Sequence, residues 1–343
     1  MTGSMPRPAE AGYWAGVGAG GVAALSWSIY NVAAKFGTAQ GFQAQDLMLA
    51  RFVGAGVLML PFLLRYGVRG GIRNPGGIGW ARAIVLTALI GPLFGLLVGV
   101  GFVLTPLAHG LVVGPSATMI ATSLLGCWFA GEPITGRRIA GIAILVLGLL
   151  ALAWDGVGAA LDGAAGGGMA GSGTAMDGMV VVGDLAFVAA AWLWGGFTLL
   201  VVRWGIDPLR GTAAVGVLSM AVVLPVYFAV FDLPPVSAVH WVHQAAFQGG
   251  LGGCVAVFAY GLAVERLGSV RASLFPSMVP PLGILIAVPV LGQVPGTAQI
   301  AGVVLASVGL AIGLGGLAMP RRGRHRVIKT CGPGSRPSSR EEP

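Results

Sequence analysis

From residue 14 to residue 318 the chain keeps returning to long apolar runs, and most of its charge falls in the segments between them. A helix needs roughly 20 apolar residues to cross a bilayer core. By that rule the runs are ten, at about 14–35, 46–64, 83–103, 107–130, 138–154, 183–202, 211–231, 242–263, 270–291 and 297–318. Only 9% of the residues are charged, against about 25% in soluble domains, so a water-facing surface could not be covered. The expected fold class is therefore all-α integral membrane. The 59 glycines suit helices that pack closely in lipid. No cleavage site follows the first run, which is too long for a signal-peptide core, so it reads as a retained helix.

A long internal repeat organises these spans. An offset of 161 residues carries Pro115 onto Pro276, Ser116 onto Ser277 and Gly131 onto Gly292. It also carries Ile139-Ala140-Gly141 onto Ile300-Ala301-Gly302, and Gly148 onto Gly309. A second offset of 167 brings Trp27 onto Trp194, Tyr30 onto Phe197 and Asn31 onto Thr198. So long a period marks a copied half of a protein rather than a solenoid unit.

Basic residues set orientation. With the N-terminus inside, 18 of the 20 basic residues fall on the inner side, and Lys35 and Arg51 alone fall outside. The loop 155–182 holds Asp155, Asp162 and Asp177 and no Lys or Arg. Five spans per half is an odd number, so the second copy enters the membrane upside down. The expectation is ten transmembrane helices in two inverted five-helix repeats. The parts are a cytoplasmic segment 1–13, a first repeat 14–154, a Gly/Ala-rich outer linker 155–182, a second repeat 183–318 and a basic cytoplasmic tail 319–343. Span 5 is the shortest, and spans 3 and 4 divide only at Thr105-Pro106.

Several functions are excluded by what the residues lack. His109, His240, His243 and His325 are scattered, no carboxylate pair lies at membrane depth, and no serine has a His/Asp relay, so the chain is not read as an enzyme. Cys127, Cys254 and Cys331 lie too far apart for a metal site or a disulfide framework. Gly-x-Gly runs such as Gly16-Val17-Gly18 open a membrane helix rather than a nucleotide loop. No cofactor is called for. The basic pI follows from the inner-side charge bias, so nucleic acid is not an expected partner; the lipid bilayer and a small-molecule substrate are.

Interrupted helices in inverted repeats point to secondary transporters, with the substrate between the halves. Pro115 in span 4, and Pro276, Pro280, Pro281 and Pro289 in span 9, each remove a helix hydrogen bond. Pro115, Pro276 and Pro280 are the expected helix-break or gating positions, the alternative being simple packing kinks. Trp27, Tyr30 and Asn31 share one face of span 1. Asn31 could meet substrate or be satisfied between helices. The expected cavity lining is Trp27, Tyr30, Asn31, Thr122, Trp194, Thr198, Gln248, Tyr260 and Ser277, with Thr118, Ser123 and Ser273 as further polar groups at depth. Small hydroxyls of this kind also bond their own backbone. Arg51 could snorkel to the surface or line an outer vestibule. Gly141/Gly148 and Gly302/Gly309 recur at seven residues and suit tight packing within the bundle or against a homodimer mate.

With these residues in place the chain resembles the drug/metabolite transporter superfamily, in its EamA-type ten-helix form. The resemblance is carried by Leu49-Ala50-Arg51-Phe52, Gly131-Glu132-Pro133-Ile134-Thr135 with Gly141, Gly183-Asp184, Pro276, Leu291-Gly292 and Gln299-Ile300-Ala301-Gly302. It covers about residues 14–318. It implies a basket-like bundle with a cavity lined mainly by spans 1, 3, 4, 6, 8 and 9, peripheral spans 5 and 10, and transport of small metabolites, commonly export. Where the second repeat usually has Leu-Gly-Glu, this chain has Leu291-Gly292-Gln293. Arginine far exceeds lysine, 18 against 2, a composition expected of a high-GC bacterium and hence of a bacterial inner membrane with both termini cytoplasmic.

Overall fold

A computed structural model describes residues 8–68, 74–131, 134–165, 173–267, 272, 274–292 and 294–313. The expectations placed on Arg7, Arg69, Arg73, Glu132, Pro133, Arg271, Ser273, Gln293 and the 319–343 tail lie outside these residues. The described chain is helical. Helices α1 (Pro8–Ala39), α2 (Ala44–Val68), α3 (Trp80–Ile90), α4 (Pro92–Leu104), α5 (Leu107–Ala130) and α6 (Gly136–Ala165) make the first half. The second half holds α7 (Gly173–Arg203), α8 (Pro208–Val230), α9 (Ala238–Gln244), a π-helical segment Ala245–Val255, α10 (Ala256–Leu267), α11 (Leu274–Ser277), α12 (Val279–Leu291) and α13 (Thr297–Gly313).

Among the described residues six stretches are long and apolar enough to cross a membrane: Ala44–Arg65, Trp80–Leu104, Leu107–Phe129, Gly178–Arg203, Leu209–Val230 and Ala238–Leu267. Val279–Leu291 and Thr297–Gly313 are shorter apolar helices. Helix α1 is not among the six; Ser28, Tyr30, Asn31 and many glycines dilute its apolarity. Large side chains such as Leu58, Leu93, Leu150, Val202, Leu285 and Val308 are exposed on the outside of the bundle, where a soluble protein would place charge.

Three departures from the sequence reading have local causes. The run read as span 3 is two helices, because Gly91 takes φ −86 and ψ −136 and Pro92 has no N–H to continue the ladder. The Gly/Ala-rich stretch 155–182 is not a linker throughout, since α6 runs to Ala165 and α7 begins at Gly173, and alanine is the strongest helix former. Pro115 does not break span 4: α5 continues through it, so this expected break is corrected. Span 9 is interrupted at Met278, between α11, which holds Pro276, and α12, where Pro280 lies in the first turn. A first-turn proline removes only an N–H that would lack a helical partner anyway.

The two halves interleave. The π segment, α10 and α12 pack on α1, while α3, α4 and α5 pack on α7; α2 packs on α8, and α6 on α13. In the order of the ten stretches, the first contacts the eighth and ninth, and the sixth contacts the third and fourth. The second meets the seventh, and the fifth meets the tenth. Moving every stretch five places along reproduces the same set.

Matched positions also share conformation and partners. Gly131 and Gly292 both close their helices in the left-handed region, at φ 66 and φ 64. A Cβ on Gly141 would come within 2.6 Å of Gly309 O, and one on Gly148 within 2.9 Å of Gly302 O. The seven-residue glycine stripes therefore face each other across α6 and α13, within one chain. This gives the small residues their close-packing partner.

Candidate functional site

The site grows from the π-helical segment in the eighth stretch. Widening the helix by one residue per turn is rare and concentrates at functional positions. Here the segment AAFQGGLGGCV contains four glycines, and two of them bring other elements in. A Cβ on Gly249 would fall into the carbonyl of Arg51 and the amide of Ala55, so the backbone of α2 lies directly against the segment. A Cβ on Gly252 would come within 2.6 Å of the Tyr30 ring. Only glycine allows both approaches.

The result is a small polar centre at the meeting of α1, α2, α4 and the π segment. Tyr30, Arg51, Gln248, Leu47, Gly95 and Phe102 are among the residues lining a cavity of about 10 Å³, room for one water and no more. Arg51 Cζ stands 5.1 Å from the centre of the Tyr30 ring and 5.4 Å from that of Phe94, a cation held against two π-faces. Arg51 thus turns inward rather than to the surface. Lying seven residues into α2, it is about 10 Å along the helix axis from Ala44. Gln248 Nε2 donates to Gln244 Oε1 at 3.2 Å, and Gln244 Nε2 donates to Ala33 O at 2.8 Å. This amide pair ties the eighth stretch to the first.

The other expected lining residues sort into two groups. Of the expected aromatic residues only Tyr30 lines the cavity, and all of them pair with other rings: Trp194 lies 5.7 Å from Phe94 and 5.8 Å from Phe197. Trp27 lies 5.5 Å from Tyr260, and Tyr30 lies 6.3 Å from Phe102. The small polar residues turn back on their own helices. Asn31 Nδ2 donates to Trp27 O at 2.7 Å, and Thr198 Oγ1 donates to Trp194 O at 2.9 Å, the same bond at matched positions. Thr122 donates to Thr118 O at 2.8 Å, and Ser277 to Leu274 O at 2.6 Å. None of these four lines the 10 Å³ cavity. Ser116, matched to Ser277, is fully buried and its hydroxyl has no partner among the described residues. Nearby, the fourth and ninth stretches meet where Leu111 covers Gly283.

Sequence reasoning missed several polar contacts. His109 Nδ1 sits 3.0 Å from both carboxylate oxygens of Asp184, joining α5 to α7. Lys35 Nζ donates to Phe102 O at 3.0 Å and Thr105 O at 2.6 Å, capping the end of α4. Asp46 is buried, accepting from the Tyr227 hydroxyl and from the Gln43 amide. Apart from the Gln43 amide, each partner lies far away in sequence, so spacing carries no sign of it. A second cavity of about 180 Å³ lies between α1, α9, the π segment and α12, with Phe36, Gln40, His240, His243, Phe247 and Ile286 among its walls. Among the described residues no three His, Cys, Asp or Glu side chains gather as a metal site would require.

The arrangement is that of a membrane bundle with a small polar centre where the interleaved halves meet. The EamA-like transporter family matches this chain over residues 14–154 and 181–314. The chain therefore belongs to the EamA-like transporter family, whose members are membrane transporters of small molecules rather than enzymes. Its own place is that of a multi-pass membrane protein. No curated protein matches the chain. Solved structures do: one, described as a crystal structure of a protein, superposes with a TM-score of 0.56 at 19% identity, covering 88% of this chain and 97% of its own. At that identity the likeness speaks for the fold alone.

Relative to the lining that the family resemblance implied, span 2 enters the centre through Leu47 and Arg51, while the described residues of spans 4, 6 and 9 do not line this cavity.

Proposed function

We propose that the ten helical stretches all cross the bilayer as two inverted five-helix repeats, and that the chain is a secondary transporter. It moves a small metabolite by alternating access around the centre at Tyr30, Arg51 and Gln248. The observation that carries this reading is the exchange pattern of the packing. Gly141 meets the position matched to Gly148, and Gly148 meets the position matched to Gly141. Contacts that run from i to j′ and from j to i′ are those of a two-fold axis. Numbers rise along α6 as they fall along α13, so the matched helices run antiparallel. This supports an axis in the membrane plane, the relation found in inverted-repeat transporters.

In this reading the centre must widen to take a substrate, because it has room for one water. Loading requires α2, α4 and the π segment to separate. The irregular backbone at Gly91 and along Ala245–Val255 supplies the joints, since non-helical backbone at membrane depth is tolerated where it is buried in protein or lines a cavity. Export is the direction the family resemblance favours, with both termini cytoplasmic in a bacterial inner membrane.

The test is flux into and out of proteoliposomes against a broad panel of metabolites. At least one compound should move, and Trp194→Ala and Gln248→Ala should slow it while the protein still inserts. A scaffold or receptor would give no flux for any compound, and that result would overturn the proposal.

A further inference from the structure

We infer, resting on the transport reading above, that the molecule accepted at this centre is a monocarboxylate on an apolar or flat body, and that Arg51 is the specificity-determining residue that binds its charge.

The starting observation is a cation without an anion. Among the described residues Arg51 forms no ion pair and no hydrogen bond. Its contacts are with the rings of Tyr30 and Phe94, which engage the face of the cation. They leave unused the five N–H donors at its edge. The nearby carboxylates are committed elsewhere: Asp46 is held by Tyr227 and the Gln43 amide, and Asp184 by His109. Asp46 is five residues from Arg51, on a different face of α2. The other outer-side cation, Lys35, is taken up by two backbone carbonyls.

A charge inside a membrane bundle is expensive unless it is paired, so an unpaired one marks a substrate path or binding position. The guanidinium fork matches a carboxylate in a bidentate geometry. Its single positive charge is balanced by one negative charge. A phosphate dianion would leave an excess charge in the same low-dielectric space. No Asp or Glu lines the cavity, so an ammonium group would find no partner there, which favours simple carboxylates over amino acids. The surrounding groups complete the description. Phe102 lines the same cavity, and Trp194 lies 5.7 Å from Phe94, so aromatic surface is at hand for an apolar body, and Gln248 brings an amide to the cavity wall.

The experiment uses the purified full chain in detergent and matched sets of ligands on bodies from acetyl to indolyl. Each set holds the carboxylic acid, its primary amide and the corresponding amino acid; 3-phenylpropanoate, 3-phenylpropanamide and phenylalanine form one such set. Binding is read from intrinsic tryptophan fluorescence and from the shift in thermal midpoint. On at least one body the acid should bind about tenfold or more tighter than its amide, the size expected for a charge-assisted pair, and the amino acid should bind less tightly than the acid. Arg51→Gln should abolish the preference, and Arg51→Lys should retain part of it. The acid-against-amide comparison needs no variant, so a misfolded Arg51→Gln leaves the test intact. Equal binding of acid and amide on every body overturns the proposal, as does a preference that survives in folded Arg51→Gln. Proteoliposome flux separates the two readings. If a neutral or cationic compound moves equally fast in wild type and Arg51→Gln, transport stands and the carboxylate assignment falls. If nothing moves while the Arg51-dependent preference persists, the binding assignment stands and the transport reading falls.

Discussion

Gly249 shows how much of this centre depends on a missing side chain. Its Cβ would meet backbone atoms of α2, which cannot rotate away as a side-chain tip could. Gly249→Ala is expected to lower stability by about 1–3 kcal/mol, the usual cost of overpacking. Gly261→Ala is the control. No atom lies within 4 Å of its added Cβ, and it sits inside α10, so it should gain up to about 1 kcal/mol from helix propensity. Thermal unfolding of the two variants in one detergent, compared with wild type, checks both signs. Tyr227→Phe removes the hydroxyl that donates to buried Asp46. Leaving that oxygen without a donor should cost about 1–3 kcal/mol in the same assay.

Helices in this chain owe their positions to contacts that their own periodicity does not specify. The α6–α13 pair is held at a distance set by Gly141 and Gly309: a Cβ on Gly141 would lie 2.5 Å from Gly313 Cα, and one on Gly309 would lie 2.8 Å from Gly141 O. Each alanine substitution alone should destabilise the fold. Because either one already forces the helices apart, the double variant should cost clearly less than the sum of the singles. A strictly additive result in a double-mutant cycle would mean that the two glycines act at separate contacts. Interrupted elements tell a similar story. Five prolines drew attention to spans 4 and 9, yet α5 runs through Pro115, while the break at Gly91 falls in a run where the sequence offered only a Gly-Pro pair. A proline removes one hydrogen bond, and the neighbouring helices decide whether the axis bends there.

For the molecule as a whole, orientation is the property most directly open to measurement. In a background lacking Cys127, Cys254 and Cys331, single cysteines placed in 66–82 should resist a membrane-impermeant thiol reagent added outside. Those placed in 156–181 should react with it. Labelling of the first set from outside would reverse the orientation, and labelling of both would remove the five-span count of the first half. The exchange of packing partners between halves makes a related demand: the halves cannot separate as independent domains, since α1 rests on the second half and α7 on the first. Expression of residues 14–154 alone should therefore give an aggregated product by size-exclusion chromatography, recovering when the second half is supplied.

Much of this architecture could be read without coordinates, because lipid imposes a local rule. Each apolar run must satisfy its own backbone, so runs of about 20 residues become mainly helical, while their neighbours decide where the helix breaks or widens. The repeat and the basic bias were legible for the same reason: both are carried by residue identity along the chain. The site was legible only in part. Tyr30, Trp194, Gln248 and Tyr260 stood out as aromatic or amide groups at depth, and Arg51 as an outer-side cation. Whether a hydroxyl at Thr122 or Thr198 faces a cavity or bonds the carbonyl four residues back is a choice between nearly equal local bonds. Whether Arg51 reaches the surface or two aromatic rings depends on which helix covers α2. Those choices, together with the π winding around Gln248 and the glycine faces of α6 and α13, belong to the tertiary structure. Side-chain direction is settled by the neighbour that arrives from the other half of the chain.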